Sequence, residues 1–208
     1  MARSARVSQL SRRNWLLAGL GIAVPGFLRG EPLGVTWDGD NLHISAPELH
    51  FLNGKPLERL KNADLVFFVS QLTLYTDRFQ TVYRRAPERF VVSYDVWEES
   101  FSVSMLSNDR RRASLPNAES TQGWCLENLA ISSSGLTPDR QFWLRLELRT
   151  SDSRDRSDLL GDSGINLTRL VEIFSRPPSS QQPHWVREAG PLRLADLRRV
   201  GGRTSRHG

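Results

Sequence analysis

The chain predicts a mainly β fold, α+β at the margin: one antiparallel, sandwich-like β domain with two short helices. Three observations predict it. Apolar side chains alternate with polar ones at a two-residue period in several separate segments. No strand-helix-strand rhythm of the kind that builds a parallel sheet appears. No internal repeat and no second apolar body is present, so the 208 residues divide into a leader (residues 1–30), one β-rich domain (31–190) and a basic tail (191–208).

The leader is basic and then apolar. Arg3, Arg6 and the pair Arg12-Arg13 precede a run from Trp15 to Leu28, and no acidic residue occurs before Glu31. Such an opening addresses a chain to the membrane. Ser11-Arg12-Arg13-Asn14-Trp15-Leu16-Leu17 resembles the twin-arginine export signal, with Leu17 where a basic residue is usual; general secretion and a chance arginine pair are the alternatives. The apolar run of about fourteen residues falls short of the roughly 20 that span a bilayer and is interrupted by Gly19, Gly21, Pro25 and Gly26. A processed signal is therefore expected, with an uncleaved tether as the other outcome, since no Ala-x-Ala triplet precedes Glu31. Export implies the export machinery as a partner and a periplasmic or extracytoplasmic address, at or near the inner membrane.

The elements follow in order. Gly34 to Leu52 reads as an extended pair turned at Asp38-Gly39-Asp40-Asn41, with Leu42, Ile44 and Ala46 on one face. Asn53-Gly54 is a tight-turn dipeptide, and Lys55 to Asn62 a polar connection. Asp64 to Tyr75 is apolar on both faces, as in a central strand. Thr81 to Arg85 and Arg89 to Leu106 continue the β character on either side of a break at Ala86-Pro87-Glu88. Phe90, Val92, Tyr94 and Val96 share a face, and the apolar phase then shifts to Phe101, Val103 and Met105, which predicts a turn or bulge near Val96 to Ser100. Arg110-Arg111-Arg112 reads as an exposed loop. Glu119 to Leu129 is the first helix and Gln141 to Thr150 a strand. Ser151 to Asp158 is a loop, and Asn166 caps a second helix through Phe174, stopped by Pro177-Pro178. From Pro191 the Arg- and Gly-rich end is expected to fray.

Charge and composition exclude several functions. Residues 1–30 hold 5 of the 28 basic residues and none of the 23 acidic ones, leaving a remainder with no net charge. A nucleic-acid partner thus loses its electrostatic footprint. One cysteine, Cys125, cannot form an internal disulfide and reads as a buried structural residue. The four histidines form no zinc pattern, Asp152, Asp155, Asp158 and Asp162 lack the spacing of a calcium loop, and no nucleophile elbow or phosphate loop occurs. No catalytic residue, metal or cofactor is predicted.

The densest polar and aromatic cluster is Asp95, Trp97, Glu98 and Glu99. Along a strand, Asp95, Trp97 and Glu99 share a face, and two carboxylates beside a tryptophan suit a small-ligand or carbohydrate site, or less readily a hydrolase. Arg110, Arg111 and Arg112 suit an anionic membrane surface or an acidic partner. The runs Phe51-Leu52-Asn53-Gly54-Lys55-Pro56-Leu57-Glu58-Arg59-Leu60, Arg89-Phe90-Val91-Val92-Ser93-Tyr94-Asp95-Val96-Trp97-Glu98-Glu99 and Phe142-Trp143-Leu144-Arg145-Leu146-Glu147-Leu148 resemble a bacterial family of exported or membrane-associated proteins of unknown function. The resemblance covers most of Leu33 to Phe174. It implies a single envelope domain, supplies no catalytic residues, and favours a non-catalytic interaction or accessory module with an envelope protein partner.

Overall fold

The computed structural model describes residues 33–107, 111–151 and 182–200. Among the described residues it is mainly β, with two antiparallel sheets in a sandwich-like arrangement, as the alternating pattern predicts, and two α-helices. The smaller sheet has the order β1-β2-β7: β1 (Gly34–Trp37), β2 (Asn41–Ser45) and β7 (Ala130–Ser132). The larger has the order β6-β5-β4-β3-β8-β9: β3 (Val66–Tyr75), β4 (Val82–Asp95), β5 (Ser100–Met105), β6 (Arg112–Leu115), β8 (Phe142–Thr150) and β9 (His184–Leu192).

The β1-β2 hairpin is fixed by its turn. Asp38 Oδ1 accepts the backbone N–H of Asp40 at 2.9 Å and of Asn41 at 2.7 Å, an Asx turn that reverses the chain. Leu42 and Ile44 then face inward and are buried. All ten residues of β3 are buried, which suits its central place between β4 and β8 and explains the lack of a polar face in its sequence.

Four expectations are corrected. β4 runs without a break through Ala86, Pro87 and Glu88, with Pro87 opposite Gln71. β5 flanks β4 only from Phe90 onward, so at Pro87 one side of the strand is an edge, where a missing N–H is tolerated. Lys55 to Asn62 is no connection: Gly54–Lys61 forms helix α1, preceded by Asn53 as N-cap, with Pro56 and Leu60 buried one turn apart. Arg112 lies in edge strand β6, not in a loop. The chain does not fray at Pro191. Leu192, Leu194 and Leu197 pack on the core, Val200 N–H donates to the Trp37 carbonyl at 2.9 Å, and the Arg199 guanidinium lies 5.5 Å over the Trp37 ring. Burial of those three leucines outweighs the basic composition around them.

Helix α2 (Ala118–Glu127) matches the expected first helix; the Asn117 side chain accepts the Ser120 N–H at 2.8 Å and caps it. The expected helix from Asn166 to Phe174 and the loop from 152 to 158 lie outside the described residues. One core joins both sheets: Leu42, Ile44 and Ile131 of the small sheet meet Phe68, Phe90, Val92, Leu144 and Leu146 of the large one, and Cys125 and Leu126 of α2 join them. Phe51 and Phe68 meet edge to face at 5.0 Å, and Trp185 of β9 closes on both.

Candidate functional site

The phase change after Val96 is a four-residue hairpin turn between Asp95, the end of β4, and Ser100, the start of β5, which are paired. Asp95 Oδ1 accepts the N–H of Trp97 at 2.8 Å and of Glu98 at 3.1 Å. Glu99 takes a left-handed φ of 50° to bring the chain back into β5. The result is a preformed tip that holds Trp97 in water: the residue is 96% exposed and Val96 53%. Asp95, Glu98 and Glu99 are exposed around it and, among the described residues, form no ion pair. The cluster read from the sequence is thus brought together, but as a projection, not a cleft. Asp95 has a structural task, since one of its oxygens holds the turn.

The basic loop is divided. Arg110 lies outside the described residues. Arg111 is exposed, with Nη1 donating to Asn128 Oδ1 at 3.3 Å, and Arg112 is an exposed residue of β6 opposite Ser104. Arg12 and Arg13 of the export signal also lie outside the described residues.

A cavity of about 420 Å³ opens between the end of β2 and α2. Its apolar wall is Ile44, Ala46, Pro47, Leu49 and Leu126, with Glu119 and Glu127 also lining it. None of Asp95, Trp97, Glu98 or Glu99 lines this cavity, so it and the hairpin tip are separate features.

The face of the large sheet turned away from the core carries the charge. Register places Arg145 and Arg149 of β8, Arg85 and Arg89 of β4, and His184 and Glu188 of β9 on that face, with Glu147. Arg145 pairs with Glu188, Nη2 to Oε1, at 2.6 Å and lies 4.8 Å over the Phe79 ring. Arg149 Nη2 reaches Glu147 Oε2 at 3.4 Å. Sequence reading recognised these β8 residues only as the polar alternation opposite Leu144, Leu146 and Leu148; the partners on β4 and β9 become visible once the register is known.

Cys125 is 1% exposed, and burial pushes its thiol far above the usual range, so it stays protonated. Among the described residues no group of three histidine, cysteine or acidic side chains is placed to hold a metal. His43 Nε2 meets Asp38 Oδ2 at 2.8 Å, a pair that the sequence reading missed. The hydrogen bond to His43, then the N–H of Asn41, holds the Asp38 carboxyl well below the ordinary carboxylate range. The nearby Ser133 hydroxyl donates to the Asp40 carbonyl and accepts from Trp37 Nε1; among the described residues no hydrogen bond joins it to His43.

Comparison with protein-family models, curated proteins and solved structures finds no match. The likeness to an exported bacterial family therefore rests on the three runs quoted for it.

Proposed function

We propose that this chain is a non-catalytic recognition module of the cell envelope, delivered by its basic-apolar leader, that grips an envelope protein through the Trp97 hairpin tip. The observation that carries the reading is the exposure of Trp97 on a turn whose backbone Asp95 already holds. Tryptophan is the side chain most often found as an anchor of protein interfaces, and a preformed turn spares the ordering cost of binding. The surrounding Asp95, Glu98 and Glu99 give the tip negative charge, which matches a basic rim around an apolar pocket and is repelled by anionic lipid. Among the described residues no helix is long and apolar enough to cross a membrane.

The reading of Asp95, Trp97 and Glu99 as a carbohydrate or small-ligand cleft has less support, because the three side chains project from a turn and do not line the cavity beside α2.

The test is affinity capture from the native envelope with matched baits: the wild-type chain, Trp97→Ala, and a chain with Arg111 and Arg112 changed to Glu. The proposal expects a saturable partner that Trp97→Ala loses and the charge-reversed chain keeps. Equal recovery on wild-type and Trp97→Ala baits would remove the tip from the account.

A further inference from the structure

Four strands of the large sheet bring one row of side chains together on its outer face. Arg89 of β4 stands opposite Val69 of β3, Val69 opposite Arg149 of β8, and Arg149 opposite His184 of β9. Opposed residues of antiparallel strands project to the same side. With strands about 4.8 Å apart, Arg89 and Arg149 flank Val69 at roughly 10 Å, a gap within the reach of two arginine side chains.

Glu147 and Glu188 engage Arg149 and Arg145. Arg89 is 6% exposed, and among the described residues it forms no ion pair, although the neighbouring Glu88 carboxylate favours its charge; its Nε is buried without a hydrogen-bond partner. Its sequence neighbour Glu88 faces the core side of the sheet, opposite Ser70, where its carboxylate accepts from the Ser107 hydroxyl and from the backbone N–H of Arg89. At the other end of the row, His184 Nε2 is also buried with no partner. Buried polar groups are nearly always satisfied, and a buried guanidinium N–H without an acceptor is a costly arrangement for a fold to keep.

We propose that Arg89, Arg149 and His184 form a binding site for a phosphate group. Arg89 supplies a guanidinium whose Nε–H has no acceptor, Arg149 a guanidinium oriented by Glu147, and His184 a ring nitrogen at the edge of the row. Donors arriving from three strands suit a tetrahedral oxyanion better than a planar carboxylate, and arginine is the residue of choice for it. The site is separate from Trp97, so it stands or falls independently of the tip.

The experiment is a titration of the full-length chain with inorganic phosphate, followed by the arginine Nε–H and histidine ring resonances. The proposal expects saturable shifts of Arg89 Nε–H and His184 that sodium chloride at equal ionic strength does not reproduce. Arg89→Gln should weaken phosphate about tenfold or more, with Arg89→Lys retaining part of the affinity. If Arg89→Gln fails to fold, the wild-type titration alone decides. A parallel arm uses phosphatidylcholine vesicles with and without phosphatidic acid. Binding displaced by inorganic phosphate assigns the group to a lipid headgroup, and phosphate binding without vesicle binding assigns it to a soluble molecule; either upholds the site. Absent or chloride-like shifts would overturn it. So would an Arg89 Nε–H already bonded to a carboxylate of the chain in phosphate-free buffer.

Discussion

Replacing Trp97 by alanine separates a recognition residue from a packing residue. A tryptophan truncated in a core costs about 3–5 kcal/mol. Trp97 is 96% exposed, so almost none of its surface leaves water on folding, and the turn beneath it is held by Asp95 through backbone N–H groups that alanine keeps. Stability should change by less than about 0.5 kcal/mol, about 2 °C or less in Tm for a domain of this size. Phe68 gives the contrast. It is 0% exposed and packs on Phe51 at 5.0 Å and on Trp185 at 6.5 Å. Phe68→Ala should cost about 3–5 kcal/mol, a fall in Tm of about 10 °C or more. Thermal unfolding followed by circular dichroism reads both variants, and envelope capture reads the partner. A Trp97→Ala chain that melts several degrees low would show that the indole packs, and the argument from its exposure would fail.

Three further outcomes are expected. Asp38 is held ionised by His43 and by the N–H groups of Asn41 and Asp40. Its folded pKa lies below its unfolded value, so its contribution is whole above pH ~4 and is lost as pH falls from there toward the folded value. Asp38→Asn should cost about 1–2 kcal/mol at neutral pH and flatten acid unfolding below pH ~4; an unchanged acid limb would refute the assignment. Cys125 should resist iodoacetamide in the native chain and react once the chain is unfolded in denaturant, because burial keeps the thiol protonated; fast native labelling, read by mass spectrometry, would contradict it. Asn117→Ala should lower stability by about 1 kcal/mol through loss of the α2 cap, with Asn117→Asp recovering most of it; equal melting of wild type and Asn117→Ala would show that the cap contributes nothing.

The strands that alternate were legible, and so was the order of their turns. Leu42 to Ala46, Phe90 to Val96 and Phe142 to Leu148 each carry the period that the sheet requires, and the phase change after Val96 marks the hairpin that bears Trp97. What escaped sequence reading depends on partners distant in the chain. Pro87 reads as a break because proline removes a donor, and only the sheet order reveals that it lies where β4 has a free side. Helix α1 hides behind an Asn-Gly dipeptide, although Pro56 and Leu60 are spaced one turn apart. The end of β9 and the turn after it, from Pro191 on, look like a basic tail until Leu192, Leu194 and Leu197 find the core. The cluster at Asp95 to Glu99 was found by its composition, but its shape was not: a projection and a cleft share one list of residues, and only the Asx bonds of Asp95 tell them apart. The outer-face row of Arg89, Arg149 and His184 has no linear signal, since three strands contribute one side chain each.

The claim that this turn is the gripping surface of an envelope module is tested most directly by photo-crosslinking in intact cells. A photoreactive amino acid at Glu98, beside the indole, should give one discrete adduct with an envelope protein. That adduct should vanish in the Trp97→Ala background and be absent when the probe sits at exposed Lys55 on α1. An adduct that survives Trp97→Ala, or that forms equally well from Lys55, would contradict the account.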